Sequence, residues 1–275
     1  MLKGYLIYTE YESRRNDFFI KKLISSANRY NIDLSLLLFE KLKYFSDSIY
    51  YDEKKIIKPD FIIERVMNYH LSLSFESMGI RVFNSSKVSA ISDNKYLTYL
   101  NMKTYGIPVL NTILQQDITC ENVFYPNVTK PIDSKGGDRV FLNKNYDDYK
   151  KNIKSYNDTS FILQNVASEV GKDLRVYVIG KEIIASVLRT SKTGFISNFC
   201  KGNDASLYTL KSSEISLVKK IVNLIDADYV GIDFLFDKGN LVLNEIENVV
   251  GARMLYSLTD INIADRFIKY IIEKM

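Results

Sequence analysis

The chain has 275 residues, of which 46% are hydrophobic and 25% charged, an ordinary globular composition that allows one large or two medium domains. The net charge of +4 is modest and the single His70 excludes a His-rich metal site, so neither nucleic-acid binding nor histidine-based metal chemistry is favoured. No run of about 18 apolar residues is present, and the two cysteines lie far apart, which predicts a cytoplasmic protein without a membrane segment.

The first 85 residues predict alternating strands and helices. Apolar residues at helical spacing predict a helix over 13–29, with Ser13 as its N-cap. The predicted strands of this part are 4–8, 32–39, 59–64 and 80–84. This alternation is typical of a parallel α/β unit. No GxGxxG follows the first strand, so a dinucleotide site is not favoured there.

The rest of the chain predicts an α+β arrangement. A helix is expected over 92–108, capped by Ser92 or Asp93 and ended by Gly106. Further helices are predicted over 146–156, 212–227 and 263–274. The predicted strands are 128–131, 140–143, 161–166, 173–180, 181–190, 230–236 and 241–247. The fold class is therefore α/β, with an α+β C-terminal part.

One predicted strand near the C-terminal end has an unusual pattern of side chains. It carries two leucines and then two glutamates at alternate positions, so all four would share one face. These residues are Leu241, Leu243, Glu245 and Glu247. Like charges this close repel each other and are expensive to desolvate, which calls for a compensating ligand or for solvent.

The turn before this strand decides whether Asp233 can reach Glu245. A two-residue turn over Lys238 and Gly239 would point the Asp233 side chain away from Glu245. A three-residue turn that also includes Asp237 would place the two carboxylates diagonally on one face. In that register three carboxylates converge, and an all-oxygen set suits Mg²⁺ or Mn²⁺ rather than zinc. The alternative is a solvated strand face with scattered acids.

Two other stretches carry cations in defined settings. In VTKPIDSKGGDRV, Lys130 precedes a Gly-Gly turn whose backbone N–H groups can approach phosphate, although such a hairpin can also be purely structural. In GKDLRVYVIGKEIIASVLRT, Asp173 and Arg175 share a strand face and Arg189 follows on the paired strand. An arginine there can hold a phosphate or carboxylate bidentately, and ordinary cross-strand ion pairing is the alternative.

The order of these pieces resembles the ATP-grasp superfamily, and within it the RimK-like carboxylate–amine ligases. The pieces are DNK-helix-GIP, TKP-x-x-S-x-GG, a QNV strand end, GKDLRVYVIG and GIDF-hairpin-NEIEN, over roughly residues 86–256. The resemblance implies an N-terminal parallel-sheet pre-ATP-grasp domain over 1–85. It also implies a central lobe with the phosphate loop over 86–167 and a C-terminal lobe with the metal site over 168–275.

The resemblance implies an ATP-dependent ligase that joins a carboxylate to an amine through an acyl phosphate, using ATP and Mg²⁺ or Mn²⁺. The substrates would be an amino acid or a peptide, without nucleic acid or membrane as partners, and a homo-oligomer is compatible with it. The alternative is a non-catalytic ATP-binding regulatory module.

The resemblance also implies roles for individual residues, with ATP between the two lobes. The residues that match nucleotide contacts are Lys95 and Lys130 for the phosphates, Ser134, Gly136 and Gly137 for the flexible loop, Gln164, Asn165 and Val166 for the adenine hinge, Asp173 for the ribose, and Asn198. Arg189 matches an arginine near the γ-phosphate, and Arg175 is placed with it in the catalytic group.

The metal and substrate residues include departures from the family pattern. Asp233 and Glu245 match two Mg²⁺ ligands, and Glu247 stands where the family has asparagine. Ile196 and Lys201-Gly202 replace family arginine positions near the substrates, and Lys201 is expected to bind substrate. Arg253 could hold a substrate carboxylate, or it could simply pair with a nearby acid such as Glu247.

Overall fold

The computed structural model describes residues 1–45, 47–134, 136–191, 194 and 204–275. The elements of its first segment, in chain order, are β1 (Lys3–Tyr8), α1 (Glu10–Arg15), α2 (Asp17–Arg29), β2 (Asp33–Leu38), β3 (Leu42–Phe45), β4 (Ser48–Tyr51), β5 (Lys54–Ile56), β6 (Phe61–Glu64), α3 (Tyr69–Ser77) and β7 (Arg81–Phe83). Four of these strands form a parallel sheet in the order β2-β1-β6-β7. The predicted parallel α/β unit is confirmed.

The predicted helix over 13–29 is wrong at its start. Two helices replace it, because Thr9 Oγ1 accepts a hydrogen bond from Glu12 N at 3.2 Å, so the N-cap is Thr9 rather than Ser13 and α1 begins at Glu10. Asn16 then interrupts the helix, since its amide donates back to the Glu12 carbonyl at 2.8 Å. The small antiparallel sheet β3-β4-β5 and helix α3 are additional elements that the sequence pattern did not predict.

The middle segment contains a four-stranded sheet, and the last segment a five-stranded one. The middle elements are α4 (Ser86–Ser92), α5 (Lys95–Thr104), β8 (Thr112–Leu114), β9 (Asn127–Pro131), β10 (Phe141–Asn143), α6 (Tyr146–Asn152) and β11 (Phe161–Asn165). The last elements are β12 (Lys172–Ile179), β13 (Glu182–Thr190), β14 (Asp204–Leu207), α7 (Ser212–Ile225), β15 (Tyr229–Asp237), β16 (Asn240–Glu247), α8 (Arg253–Leu258) and α9 (Ile263–Lys274). Both sheets are antiparallel, in the orders β10-β9-β11-β8 and β14-β13-β12-β15-β16.

Helix α5 begins later than predicted and is capped by Asn94. The Asn94 Oδ1 accepts hydrogen bonds from Tyr96 N and Leu97 N, both at 3.0 Å, whereas Ser92 closes the preceding helix α4. The cap makes Lys95 the first residue of α5. The predicted helix over 146–156 is α-helical only to Asn152 and continues as a 3-10 turn.

The β15–β16 hairpin turns over two residues, so the three-residue alternative is wrong. Lys238 and Gly239 both adopt positive φ, at 51° and 77°, and Phe236 pairs with Leu241. Asp233 nevertheless lies opposite Glu245, because a β-bulge between Asp233 and Phe234 shifts the register by one residue.

The bulge also changes which face the glutamates occupy. Leu241, Leu243 and Ile246 are buried in one hydrophobic cluster, so the alternation of side chains reverses between Leu243 and Ile246. Glu245 and Glu247 therefore lie on the face opposite the leucines, and the prediction of a single shared face is wrong. The acids do not have to be desolvated in the apolar core.

The first and last segments share one hydrophobic core. Side chains of β1 and α2, such as Leu6 and Phe19, belong to the same buried cluster as Tyr177, Tyr229 and Phe267 from the last segment. All strands of any one sheet lie within the same predicted domain range, so no sheet crosses a predicted domain boundary. The domain boundaries themselves stay predictions. In the described part of the chain, no helix is both long enough and apolar enough to span a membrane.

An ion pair between Arg81 and the buried Asp228 connects β7 to the residue that precedes β15. Asp228 is 1% exposed, and its Oδ1 accepts hydrogen bonds from Arg81 Nη2 at 2.6 Å and from Tyr270 Oη at 3.0 Å. Asn84 adds to it, since its Oδ1 accepts from Asp228 N and Tyr229 N. Burial raises the pKa of Asp228 to about 6, against the opposing effects of Arg81 and Tyr270.

Replacing Arg81 by alanine should destabilise the protein by about 1–2 kcal/mol at pH 7.5, because the Asp228 carboxylate loses its counter-charge. Arg81 is partly exposed, which keeps the figure below that of a fully buried pair. Because the pKa of Asp228 in the folded protein is about 6, its carboxyl group is mostly protonated at pH 5. A neutral carboxyl group needs no counter-charge, so the loss of stability caused by Arg81→Ala should be smaller at pH 5 than at pH 7.5.

Urea unfolding of the Arg81→Ala variant at both pH values measures this effect. Arg266→Ala is the matched control, since Arg266 pairs with Glu182 across an exposed surface and should cost at most about 1 kcal/mol. An equal loss in both variants would contradict the role of Asp228.

Candidate active site

A cleft of about 130 Å³ lies between the middle sheet and the last sheet. The residues predicted from the family pattern that line this cleft are Lys95, Lys130, Ser134, Gly136, Gly137, Gln164, Asn165, Val166 and Asp173. Glu245 lines it as well. Residues far apart in the sequence thus meet in one cavity, as the resemblance requires. Asn198 and Lys201 lie outside the described residues.

One part of the cleft is apolar, and sequence reasoning missed most of it. The apolar lining consists of Val128, Val140, Val166, Ala167, Val170 and Leu235. An apolar slot of this kind suits an aromatic ring such as a nucleotide base. Val128 could have been found, because it is two residues before Lys130 on β9 and shares its face. Leu235 carries no comparable local signal.

Two lysines, Lys95 and Lys130, also line the cleft. Lys95 donates to the carbonyl of Ser134 and lies 3.5 Å from Glu245 Oε2. Lys130 is 5% exposed, and its Nζ donates to Asn244 Oδ1 at 2.8 Å. Burial lowers the pKa of Lys130 to about 8; Glu245 opposes this shift and Lys95 adds to it. A buried ammonium beside a neutral amide is well suited to receive an anion.

The loop after β9 has a hydroxyl group without a hydrogen-bond partner among the described residues, and a glycine that faces open space. Ser134 Oγ is buried, and within the described residues it has no hydrogen-bond partner. Gly136 adopts φ of 65°, and a Cβ built at this position would meet no heavy atom within 4 Å. An orphaned hydroxyl and an open backbone beside two lysines fit the phosphates of a nucleotide.

The hinge residues differ in what they can offer. Gln164 is buried, and its Nε2 donates to Thr112 Oγ1 at 2.8 Å within the sheet. Asn165 is exposed, and its backbone N–H donates to Asn111 O. The Gln164 side chain therefore also serves to join β11 to β8.

A row of alternating charges crosses the last sheet behind the cleft. Arg189 donates two hydrogen bonds to Asp173 and one of 2.7 Å to Asp233. Arg175 binds Asp233 through Nε at 2.7 Å and Nη2 at 2.6 Å, and its Nη1 lies 2.5 Å from Glu247 Oε2. Cross-strand ion pairing, the alternative for these arginines, is therefore present.

The arginines control the protonation of this row. Burial alone raises the pKa of Asp233, but Arg175 and Arg189 outweigh it and hold the pKa at about 2. Burial raises the pKa of Glu247, and Arg175 opposes that shift only in part. Asp233 is thus ionised in the free protein.

The three acids Asp233, Glu245 and Glu247 differ in how well they fit a divalent cation. Both oxygens of Asp233 accept from guanidinium groups, and the residues that the structure describes contain no cluster of three or more acidic, histidine or cysteine side chains arranged to hold a metal. Glu247 Oε2 is buried and makes no hydrogen bond despite its close contact with Arg175, and Glu245 is partly exposed to the cleft. The two glutamates fit a hard cation, whereas Asp233 would first have to exchange an arginine.

A second cavity, of about 220 Å³, adjoins the cleft. Gly136 and Glu245 line both spaces. The other side chains of the second cavity are mainly charged: Glu12, Arg15, Arg65, Arg175, Arg189, Glu247 and Arg253. Arg253, which was predicted to hold a substrate carboxylate, lines this cavity. Arg15 and Arg65 were missed, because they belong to the first segment and no local pattern connects them with this site.

Asn248, next to Glu247, has a different role. Its Oδ1 accepts from Asn84 Nδ2 at 2.7 Å, and its Nδ2 donates to Ser89 Oγ at 2.9 Å. The residue is buried away from both cavities and ties β16 to the first and middle segments.

Comparison with known proteins finds a matching family model and related sequences, and both include ATP-grasp ligases. A family model described as the RimK-like ATP-grasp domain matches residues 93–271. An uncharacterised protein of Mycoplasma genitalium is 28% identical over 99% of this chain and 93% of the relative. A probable alpha-L-glutamate ligase of Haemophilus influenzae is 26% identical over 72% of this chain and 68% of the relative.

Solved structures share the fold. The crystal structure of a RimK domain ATP-grasp protein from Sphaerobacter thermophilus superposes with a TM-score of 0.75, covering 98% of this chain and 99% of that chain. Its sequence identity is 14%, so this likeness concerns the fold alone. The predicted ATP-grasp fold is confirmed.

Proposed function

This chain belongs to the RimK-like ATP-grasp family and is an ATP-grasp ligase, and we propose that it joins a carboxylate to an amine through an acyl phosphate. The observation that carries the proposal is the meeting of two cavities. The apolar, lysine-lined cleft suits ATP, the arginine-lined cavity suits an acidic or zwitterionic substrate, and Gly136 and Glu245 line both.

ATP would bind in the cleft with its base in the apolar slot and its phosphates toward the second cavity. Lys95 and Lys130 would neutralise phosphate oxygens, while Ser134 Oγ and the open backbone at Gly136 supply hydrogen-bond donors. Asp173 lines the same cleft, although Arg189 engages both of its oxygens. Its predicted ribose contact would therefore share the carboxylate with that arginine.

The reaction needs positioning and charge neutralisation rather than a protein nucleophile. A substrate carboxylate oxygen attacks the γ-phosphorus, the bond to the β-phosphate oxygen breaks, and ADP leaves. The amine then attacks the acyl carbon, the carbon–oxygen bond to phosphate breaks, and the amine loses a proton. Arg175 and Arg189 line the cavity where the acyl phosphate forms, so they would stabilise charge on its oxygens.

Glu245 and Glu247 are the residues that would hold a divalent cation, with Asp233 joining them if an arginine moves away. When bound, Mg²⁺ or Mn²⁺ neutralises phosphate charge in this class of chemistry. Glutamate at position 247, where the family has asparagine, adds a negative charge, and Arg175 offsets it in this structure.

The substrate class follows from the relatives by analogy. One relative is a probable alpha-L-glutamate ligase, and another, 24% identical, is an alpha-aminoadipate–LysW ligase of Saccharolobus solfataricus. We infer an amino acid or peptide as the substrate here.

An ADP-release screen over amino acids, dipeptides and peptides, read out by product mass, tests the function. ADP release is expected only with a matching acid and amine. Glu245→Gln should lower it at least about 100-fold while leaving the protein folded, since the cleft loses a charged ligand at the phosphates. A protein that ATP stabilises against heat, but that makes no ADP with any pool, would instead be the regulatory module.

A further inference from the structure

Arg65 is a buried arginine at the wall of the second cavity, and it forms no ion pair with the described residues. It follows directly after β6 in the first segment, is 4% exposed, and lines the cavity. Among the residues that the structure describes, no carboxylate lies within ion-pair distance of its guanidinium. The carboxylate of the adjacent Glu64 accepts hydrogen bonds from Val66 N and Ser72 Oγ. It also raises the pKa of Arg65, but less than Tyr8 and Tyr229 do.

Aromatic rings and two hydrogen bonds hold the Arg65 guanidinium in place without forming an ion pair. The guanidinium lies 5.9 Å from the Tyr8 ring centroid, 5.6 Å from that of Phe19 and 5.7 Å from that of Tyr229. These rings offer cation–π stabilisation on the faces of the group. Its Nε donates to Tyr8 Oη at 3.2 Å and its Nη2 to Val250 O at 2.6 Å. The guanidinium is thus oriented by five neutral contacts.

One edge of the guanidinium is left for a ligand. Nη1 donates to none of the described residues, whereas Nε and Nη2 are used. An arginine is always charged, and burying a cation without an anion is costly. Water in the cavity could hydrate Nη1 but would bring no charge. A carboxylate matches the fork and supplies the missing negative charge.

The other arginines of the cavity differ from Arg65. Arg15 pairs with Glu12 at 2.9 Å, and Arg175 and Arg189 pair within the row of charges on the last sheet. Arg253 also has an interaction of its own in the structure. Arg65 therefore differs from Arg15, Arg175 and Arg189 in having no ion-pair partner among the described residues.

We propose that Arg65 anchors a carboxylate of the substrate at a point remote from the reacting groups, so that the first segment selects substrates carrying an additional carboxylate. The proposal rests on the proposed function, because the anchored molecule would reach the phosphates through the shared wall at Gly136 and Glu245. Arg65 is a specificity-determining residue in this account, since it does not touch the reacting atoms.

Binding of glutarate and of its monoamide, glutaramate, to the free protein tests the anchor by thermal shift and calorimetry. The wild type should bind glutarate about 10-fold or more tightly than glutaramate, because only the dicarboxylate can place a second carboxylate on the fork. In Arg65→Gln, glutarate binding should weaken about 10–100-fold and the ratio of the two affinities should fall toward one.

Two variants complete the experiment. Arg14→Gln changes an exposed arginine on the same short helix as Arg15 and should keep the wild-type ratio. Arg65→Lys keeps the charge but not the fork, and it should give an intermediate ratio if Arg65→Gln does not fold. A purely structural Arg65 would weaken both ligands equally. An unchanged ratio in Arg65→Gln and Arg65→Lys, or a wild type that glutarate does not stabilise, would overturn the anchor.

The nucleotide site is measured separately in the same samples. ATP with Mg²⁺ should raise the melting temperature of the wild type, Arg65→Gln and Arg14→Gln alike, because Arg65 does not line the nucleotide cleft. Absence of an ATP effect in the wild type would count against the proposed function and would leave the glutarate result to decide the anchor.

Discussion

Replacing Lys130 by methionine is expected to weaken ATP binding about 10–100-fold and to lower ADP release by about a further 100-fold. The ammonium is buried in the wall of the cleft, where it is hydrogen-bonded only to the neutral Asn244 amide within the described chain. A charge in this setting gains most from an anion such as phosphate. Calorimetric titration with ATP and Mg²⁺, followed by the ADP assay, measures both losses.

The Lys130→Met protein should at the same time be at least as stable as the wild type in the absence of ATP. Methionine has a similar length and removes a charge whose burial is costly. Lys103→Met, on the exposed surface of α5, is the matched control and should change neither ATP binding nor ADP release. Normal ATP affinity in Lys130→Met would exclude this lysine from the phosphate site.

The pH dependence of ATP binding should report the same group. In the free folded protein the pKa of Lys130 is about 8, below its usual value, so the folded state holds fewer protons than the unfolded state between about pH 8 and 10. The contribution of Lys130 to the stability of the free protein therefore rises with pH in that range. ATP favours the charged amine, so its affinity should fall as pH rises through 8, and Lys130→Met should lose this dependence.

Asp233→Asn is expected to destabilise the protein by about 3 kcal/mol at pH 7, the largest stability effect in this account. The Asp233 carboxylate is 1% exposed and holds Arg175 and Arg189 through three hydrogen bonds. An asparagine amide would keep the shape of the side chain, but it would remove the negative charge that compensates the buried guanidinium groups of Arg175 and Arg189. The melting temperature should fall by about 6–12 °C for a protein of this size.

The pH profile of unfolding distinguishes this effect from a simple loss of packing. Because the folded-state pKa of Asp233 is lowered to about 2, its stabilising contribution is present above the unfolded value near 4 and is lost as pH falls through 2. Wild type and Asp233→Asn should therefore converge in acid. Glu182→Gln, which removes an exposed partner of Arg266, is the control and should cost at most about 1 kcal/mol. A stable Asp233→Asn protein would show that the arginines do not depend on this acid.

The hairpin illustrates what the sequence could predict about the site and what it could not. The proximity of Asp233 and Glu245 was predicted for one of two registers, but the turn chosen for it was wrong. Lys238-Gly239 forms a two-residue turn with positive φ at both positions, and a bulge near Asn244 restores the pairing. Bulges depend on packing against neighbouring strands, so local patterns of turn residues do not reveal them.

Among the residues that line the two cavities, the sequence predicted those that are close together in the chain and missed those that come together only in the fold. Lys130, Ser134 and the glycines lie in one short stretch, and their order along the chain was enough to place them together. Arg65 was missed, because its environment is built from β1, α2 and β15, which only the folded chain brings together. The alternation of strands and helices predicted the first sheet, whereas β3-β4-β5 consists of short strands of three or four residues whose pairing depends on tertiary contacts.

Transfer of ¹⁸O from the acid substrate to phosphate tests the central claim most directly. An acid identified by the ADP screen would be labelled in its carboxylate and incubated with the protein, ATP, Mg²⁺ and the amine. Because the carboxylate oxygen attacks the γ-phosphorus and then leaves with it, the account predicts one ¹⁸O atom in each inorganic phosphate released. Unlabelled phosphate, with all of the ¹⁸O kept in the acid or the product, would contradict a ligase that works through an acyl phosphate.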